Sequence, residues 1–122
     1  MHVFSKTQVS SPIVTEHGEI IFELLGRNFD EKTENHSVAY VVIAPKKSSR
    51  LHYHPKAEES YYILKGKARI LVGDEESTVT LGQIILIPPG KSHKIINIGE
   101  DNLELLVTCI PAWESNNTIL LE

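Results

Sequence analysis

His52-Tyr53-His54-Pro55-Lys56-Ala57-Glu58-Glu59-Ser60-Tyr61-Tyr62-Ile63-Leu64 is the stretch on which the reading of this chain turns. Side chains two apart on a strand share a face, so His52 and His54 can reach one ion together. Pro55 cannot donate to a strand ladder, and Pro55-Lys56-Ala57-Glu58 reads as a turn. Glu59 then opens a β-like run that can return beside the two histidines. His93 follows a second turn, Pro88-Pro89-Gly90-Lys91-Ser92, thirty-nine residues beyond His54. Three imidazoles and one carboxylate make a first shell for a divalent transition metal, which predicts a metal site on a β scaffold.

Outward from that stretch the chain breaks into short β-like segments. They are Glu19–Leu25, Ser37–Ala44, Arg50–His54, Ser60–Leu64, Lys67–Val72, Ser77–Leu81, Ile84–Ile87, Lys94–Ile98, Leu103–Ile110 and Thr118–Leu121. Turn residues separate most of them, among them Lys65-Gly66, Gly73-Asp74, Leu81-Gly82 and Gly99-Glu100-Asp101-Asn102. No window holds a helical period, so an all-β sandwich or barrel is expected. Ile84-Ile85-Leu86-Ile87 and the run Leu105 to Ile110 offer no solvent face. A lone small β domain leaves one face of each sheet wet, so a second subunit, or a terminal segment folded over the sheet, is expected to cover these strands.

With 122 residues the chain fits one domain, spanning 1–122. Its 41% hydrophobic and 23% charged residues are ordinary for a globular protein, and the net charge of −4 comes without a basic stripe. Lys46, Lys47 and Arg50 are too few for a nucleic-acid surface. Cys109 is the single cysteine, so no intrachain disulfide forms, and its apolar surroundings favour a packed thiol over a reactive one. No apolar stretch is long enough for a membrane span and the first residues lack a secretory pattern, so a cytoplasmic protein is the expectation.

The two short motifs resemble those of the cupin superfamily, whose members place metal ligands in them. The first reads His-x-His, three or four residues, Glu, six residues, Gly, here His52-Tyr53-His54, Glu59 and Gly66. The second reads Gly, five residues, Pro-x-Gly, two residues, His, three residues, Asn, here Gly82, Pro88-Pro89-Gly90, His93 and Asn97. Fifteen residues, Lys67 to Leu81, separate them. Motif 1 runs over about 46–66 and motif 2 over about 82–97. One position departs, because Lys46 stands where the family opens its first motif with glycine. The resemblance implies a double-stranded β-helix, or jelly-roll barrel, with His52, His54, Glu59 and His93 as metal ligands. Glu59 is preferred to Glu58 because it alone sets Gly66 at the required distance. Asn97 is expected to make structural hydrogen bonds, and His2, His17 and His36, outside both motifs, to be surface histidines.

Glu59, Tyr61 and Tyr40 are the candidate catalytic residues, and Arg50 and Tyr61 the candidate substrate contacts. Tyr61 shares the parity of Glu59, Arg50 that of His52 and His54, and Tyr40 stands in the preceding strand. Trp113 is expected to be a core or interface anchor. The donor set suits Fe, Mn, Ni, Zn, Cu or Co alike. Two open positions on such an ion suit a small chelating molecule, with dioxygenase-, isomerase- or lyase-type chemistry. The expectation is therefore a small metalloenzyme acting on a polar metabolite, working as a homodimer, without nucleic acid or membrane. A non-catalytic metal-dependent binding or sensing module is the alternative, and a purely structural metal staple the third.

Overall fold

The computed structural model describes all residues, Met1–Glu122, and it is built from eleven strands in two antiparallel sheets. β1 (Ile13–Val14), β2 (Glu19–Leu25) and β3 (Ser37–Ile43) belong to a six-stranded sheet. They are followed by β4 (His52–Tyr53), β5 (Glu58–Lys65), β6 (Lys67–Val72) and β7 (Glu75–Thr80). β8 (Ile84–Ile87), β9 (His93–Asn97), β10 (Leu103–Ile110) and β11 (Ile119–Leu120) complete the chain. The larger sheet has the order β1-β2-β3-β10-β5-β8 and the smaller β11-β4-β9-β6-β7. Two short 3-10 turns, Lys6–Gln8 and Ser115–Asn117, are the only helical pieces. No helix is long and apolar enough to cross a membrane.

Strand boundaries follow turn chemistry where the turn is local. Gly66 links β5 to β6 at φ +95°, and a Cβ there would stand 3.0 Å from the Asn102 carbonyl oxygen, so both conformation and space demand glycine. β2, β6, β8 and β10 keep the bounds expected from sequence. Of the expected Arg50–His54 only His52–Tyr53 is ladder, because its sole partners are β9 and β11. β1 was not expected: two residues carry no periodic signal, and only pairing with Ile20 and Ile21 makes them a strand.

The inward faces of the two sheets meet in one core. Val41 and Ile43 of β3, Ile63 of β5 and Leu103 and Leu105 of β10 pack with Ala68, Ile70, Val79, Ile87 and Ile95 from the other strands. Each fully buried Ile or Leu contributes about 1.5–3 kcal/mol by removal from water. Asn97 is built into this core as expected. Its Nδ2 donates to the carbonyls of Ile43 at 2.8 Å and Asp101 at 2.9 Å, while Oδ1 accepts from Gly99 N–H at 2.8 Å.

Toward β1, β2, β4 and β11 the apolar packing gives way to a cavity of about 200 Å³. On the outer face of the larger sheet, the side of β8 expected to need a cover is bare in the single chain. Ile84 is 66% exposed, Leu86 61% and Tyr62, paired with Ile84, 41%. The N-terminal segment covers only the far end of that face, where the Lys6 ammonium lies over the rings of Phe22 and Tyr40.

Candidate metal centre

His52 and His93 stand directly opposite each other on β4 and β9, with ring centroids 4.2 Å apart. His54 follows β4 by one residue, and its carbonyl accepts a hydrogen bond from Gly90 N–H at 2.8 Å. The Pro88-Pro89-Gly90 turn of the second motif is thereby fastened to the first. Glu59 reaches in from β5 on the opposite sheet. The ligand atoms of His52, His54, Glu59 and His93 all lie within 4.8 Å of one another. His54, Glu59 and His93 are buried, and His52 is half-buried at the edge of the cavity. Glu58 is exposed and turned away.

Each imidazole is oriented from behind. Nδ1 of His52 hydrogen-bonds the Arg50 carbonyl at 2.7 Å, Nδ1 of His54 the Asn117 carbonyl at 3.0 Å, and Nδ1 of His93 the Lys91 carbonyl at 2.9 Å. A carbonyl has no hydrogen to give, so every Nδ1 carries the proton and every Nε2 offers a lone pair. Such backing by carbonyls is the usual support of metal-bound histidine. In front, Nε2 of His54 and of His93 stand 3.0 and 2.9 Å from Glu59 Oε1. These three buried atoms have no hydrogen-bond partner. Electron-rich atoms held so close without a proton are costly, and a cation resolves the conflict. Two donors at right angles, each about 2.1 Å from one ion, sit about 3 Å apart, so the residues fit a divalent metal.

Electrostatics agree with that geometry. Burial, then the neighbouring His93, pushes His52 down to about 4, which leaves it neutral at pH 7. Burial opposes charge at Glu59 and His54, but their mutual attraction overcomes it. Glu59 is held down to about 2 by His54 and His93, and His54 is raised by Glu59 and the Asn117 carbonyl. Without a metal, a shared proton is the only relief available to this cluster.

The other expected residues divide. Tyr61 lies where parity put it, buried at the cavity wall with its ring 5.9 Å from that of His93. Burial, then the charges of Glu59 and Glu19, raises its hydroxyl well above the ordinary value, so Tyr61 stays protonated. Tyr40 is a correction. Val41 beside it is buried in the core, so Tyr40 points outward, where its hydroxyl bonds Glu104 and Lys6 covers its ring. Arg50 reaches the cavity, but its Nε and Nη2 bond the Glu122 carbonyl and Nη2 lies 3.9 Å from Glu16. His17 sits 3.5 Å from Glu122, and His2 bonds the Leu24 carbonyl, both away from the cluster; His36 is exposed. The Cys109 thiol is buried, and burial with Glu59 pushes it up to about 12, in keeping with a packed thiol.

Three cavity residues escaped the reading. Trp113 lines the wall instead of serving only as an anchor, and Glu19 and Glu23 project into the cavity from β2. The alternation Glu19-Ile20-Ile21-Phe22-Glu23 looks like a strand with its carboxylates in water. The register instead places Glu19, Ile21 and Glu23 opposite Ile43, Val41 and Ala39, which face inward. Outward-facing Phe22 lies beside Tyr40 under the Lys6 ammonium. The available signal was Phe22, too large and apolar to belong on a bare wet face.

Fold and donors together define a double-stranded β-helix protein with a candidate metal centre. The cupin domain family model matches residues 39–109, and the chain belongs to the cupin family. It is 37% identical over 111 residues to an uncharacterized protein of Methanocaldococcus jannaschii, an alignment covering 91% of this chain and 88% of that one. It is 29% identical over 101 residues to the glucose-6-phosphate isomerase of Thermococcus litoralis, covering 72% of this chain and 53% of that enzyme, so the match spans about half the relative's length. A Klebsiella pneumoniae protein with a double-stranded β-helix domain superimposes with a TM-score of 0.78 at 20% identity, covering 100% of this chain and 98% of its own.

Proposed function

We propose that this chain is a small metal-dependent enzyme that acts on a small polar metabolite chelating a divalent ion. His52, His54, Glu59 and His93 would hold the ion. The observation that carries the reading is the trio of buried, unpartnered atoms His54 Nε2, His93 Nε2 and Glu59 Oε1, backed by carbonyls that aim the rings. A bound divalent ion supplies Lewis acidity, polarising a chelated carbonyl or stabilising an enolate, and with a redox-active metal it supports dioxygenase chemistry. The protein provides the rest. The half-buried His52 leaves the cluster open toward the cavity, whose walls are largely apolar. The Tyr61 hydroxyl, held protonated beside His93, can give a proton to a bound substrate oxygen. Both an isomerase or lyase and an oxygenase fit these parts.

We also propose that the protein works as a homodimer, a second copy covering Tyr62, Ile84 and Leu86. What supports this is the exposed apolar patch on the edge strand β8.

The function is tested by stripping the protein with a chelator and reloading it separately with Fe, Mn, Ni, Zn, Cu and Co. Hydroxy-ketones, keto acids and catechols are then assayed for product formation and oxygen uptake. Turnover is expected with at least one ion, with loss on chelation and in His54→Ala. Tight ligand binding without turnover under every ion would leave the non-catalytic binding module.

A further inference from the structure

The cavity beside the donor cluster holds about 200 Å³, below the roughly 300–1,000 Å³ of sites that take drug-sized ligands. Its walls are largely apolar, with Ile13, Ile21, Val41, Val107, Trp113 and Leu120 contributing. Its charged groups away from the cluster are Glu19, Glu23 and Arg50. Arg50 is engaged by Glu122 and Glu16. Glu23 accepts from Asn28 Nδ2 at 3.3 and 3.5 Å. Glu19 differs from both. Burial and the charge of Glu59 act on its carboxyl, raising it to about 7, and no hydrogen bond or cation of the protein offsets them. Nor is it among the donors converging on the ion site. The ionised form of a carboxylate so placed is costly until a cation or hydrogen-bond donor complements it.

Resting on the metal-site reading above, we propose that Glu19 is the specificity-determining residue of this cavity. It selects a small ligand that turns oxygen donors toward the His52, His54, Glu59 and His93 cluster and a cationic, hydrogen-bond-donating group toward β2. Phosphates and carboxylates at that end are rejected. Recognition of a phosphate calls for free guanidinium or ammonium groups or a helix N-terminus. This cavity has one arginine, whose Nε and Nη2 already bond the Glu122 carbonyl, two carboxylates besides Glu59 and no α-helix. The substrate class is thus a compact, mainly apolar chelator bearing an amine, unlike a sugar phosphate.

A matched pair of probes tests this without any need for turnover. Dopamine and 3,4-dihydroxyphenylacetate carry the same chelating catechol and differ in the charge of the tail. Each is titrated into zinc-loaded protein near neutral pH by calorimetry, with the emission of Trp113, the chain's one tryptophan and a cavity-wall residue, as a second readout. The wild type is expected to bind the amine-tailed probe about tenfold or more tightly than the other, the scale of one charge-assisted hydrogen bond. In Glu19→Gln the two affinities should converge while both probes still bind. Equal affinities in the wild type, or a preference for the carboxylate tail, overturn the proposal even if the variant fails to fold. A preference that survives Glu19→Gln overturns the assignment to Glu19. If zinc is taken up yet neither probe binds, the open metal site itself is refuted and the inference falls with it.

Discussion

Lys46 has a φ of +69°, and no other non-glycine residue in the chain has a positive φ. It occupies the place where the family motif carries glycine, so the loop keeps the left-handed turn and bears the steric cost of a side chain. That cost is about 1–2 kcal/mol for an L residue, against an entropic penalty of about 0.5–1 kcal/mol for glycine. Lys46→Gly should therefore stabilise the fold by about 0.5–1 kcal/mol, read as a rise of a few degrees in Tm. A fall in Tm would mean that the Lys46 side chain contributes more than its strain. At this scale the donor cluster was legible from the chain, because His52, His54, Glu59 and His93 are fixed by short spacings around prolines and glycines. Tyr40 was not, since parity within β3 cannot be assigned until Val41 is known to be the buried neighbour. Glu19 was hidden for a similar reason: a carboxylate facing a cavity and one facing solvent have the same sequence signature.

Strands that end in their own turns could be bounded from residues alone, as Lys67–Val72 and Leu103–Ile110 were. The two-residue strands could not. β4 and β11 exist only through ladder bonds to partners elsewhere, such as Leu121 N–H to the Leu51 carbonyl at 2.9 Å, and such pairing leaves no local pattern. β11 matters to the site beyond its length. The segment leading into it supplies the Asn117 carbonyl that orients His54, and its Asn117 Oδ1 accepts from Lys56 N–H at 3.0 Å. The last residue, Glu122, accepts from Leu51 N–H at 2.8 Å and from Lys94 Nζ at 2.7 Å. The C-terminal segment thus holds the first motif in place from outside, which the motif alone does not reveal. β2 shows the converse case, Glu19 and Glu23 inward and Ile20 and Phe22 outward. Polar groups are placed inside a barrel at a cost, and the cavity they line accounts for the inversion.

Taken whole, the molecule has one well-packed core, one acidic cavity and one uncovered apolar face. The sequence pointed to the two-sided apolar strands, and in the single chain the outward side of β8 is exposed. Sedimentation equilibrium is expected to give twice the 13.7 kDa chain mass, and Leu86→Lys should shift the population toward the single-chain mass. A wild-type protein that stays at 13.7 kDa at micromolar concentration would remove the dimer. Whether His52, His54, Glu59 and His93 hold an ion is read from the metal content of the protein. Protein purified without chelators or a metal-affinity step is subjected to elemental analysis beside His54→Ala. The account predicts about one equivalent of a single divalent transition metal per chain, largely lost in the variant while the β fold persists by circular dichroism. No metal in the wild type and none taken up on reconstitution, or a full equivalent retained by His54→Ala, would contradict it.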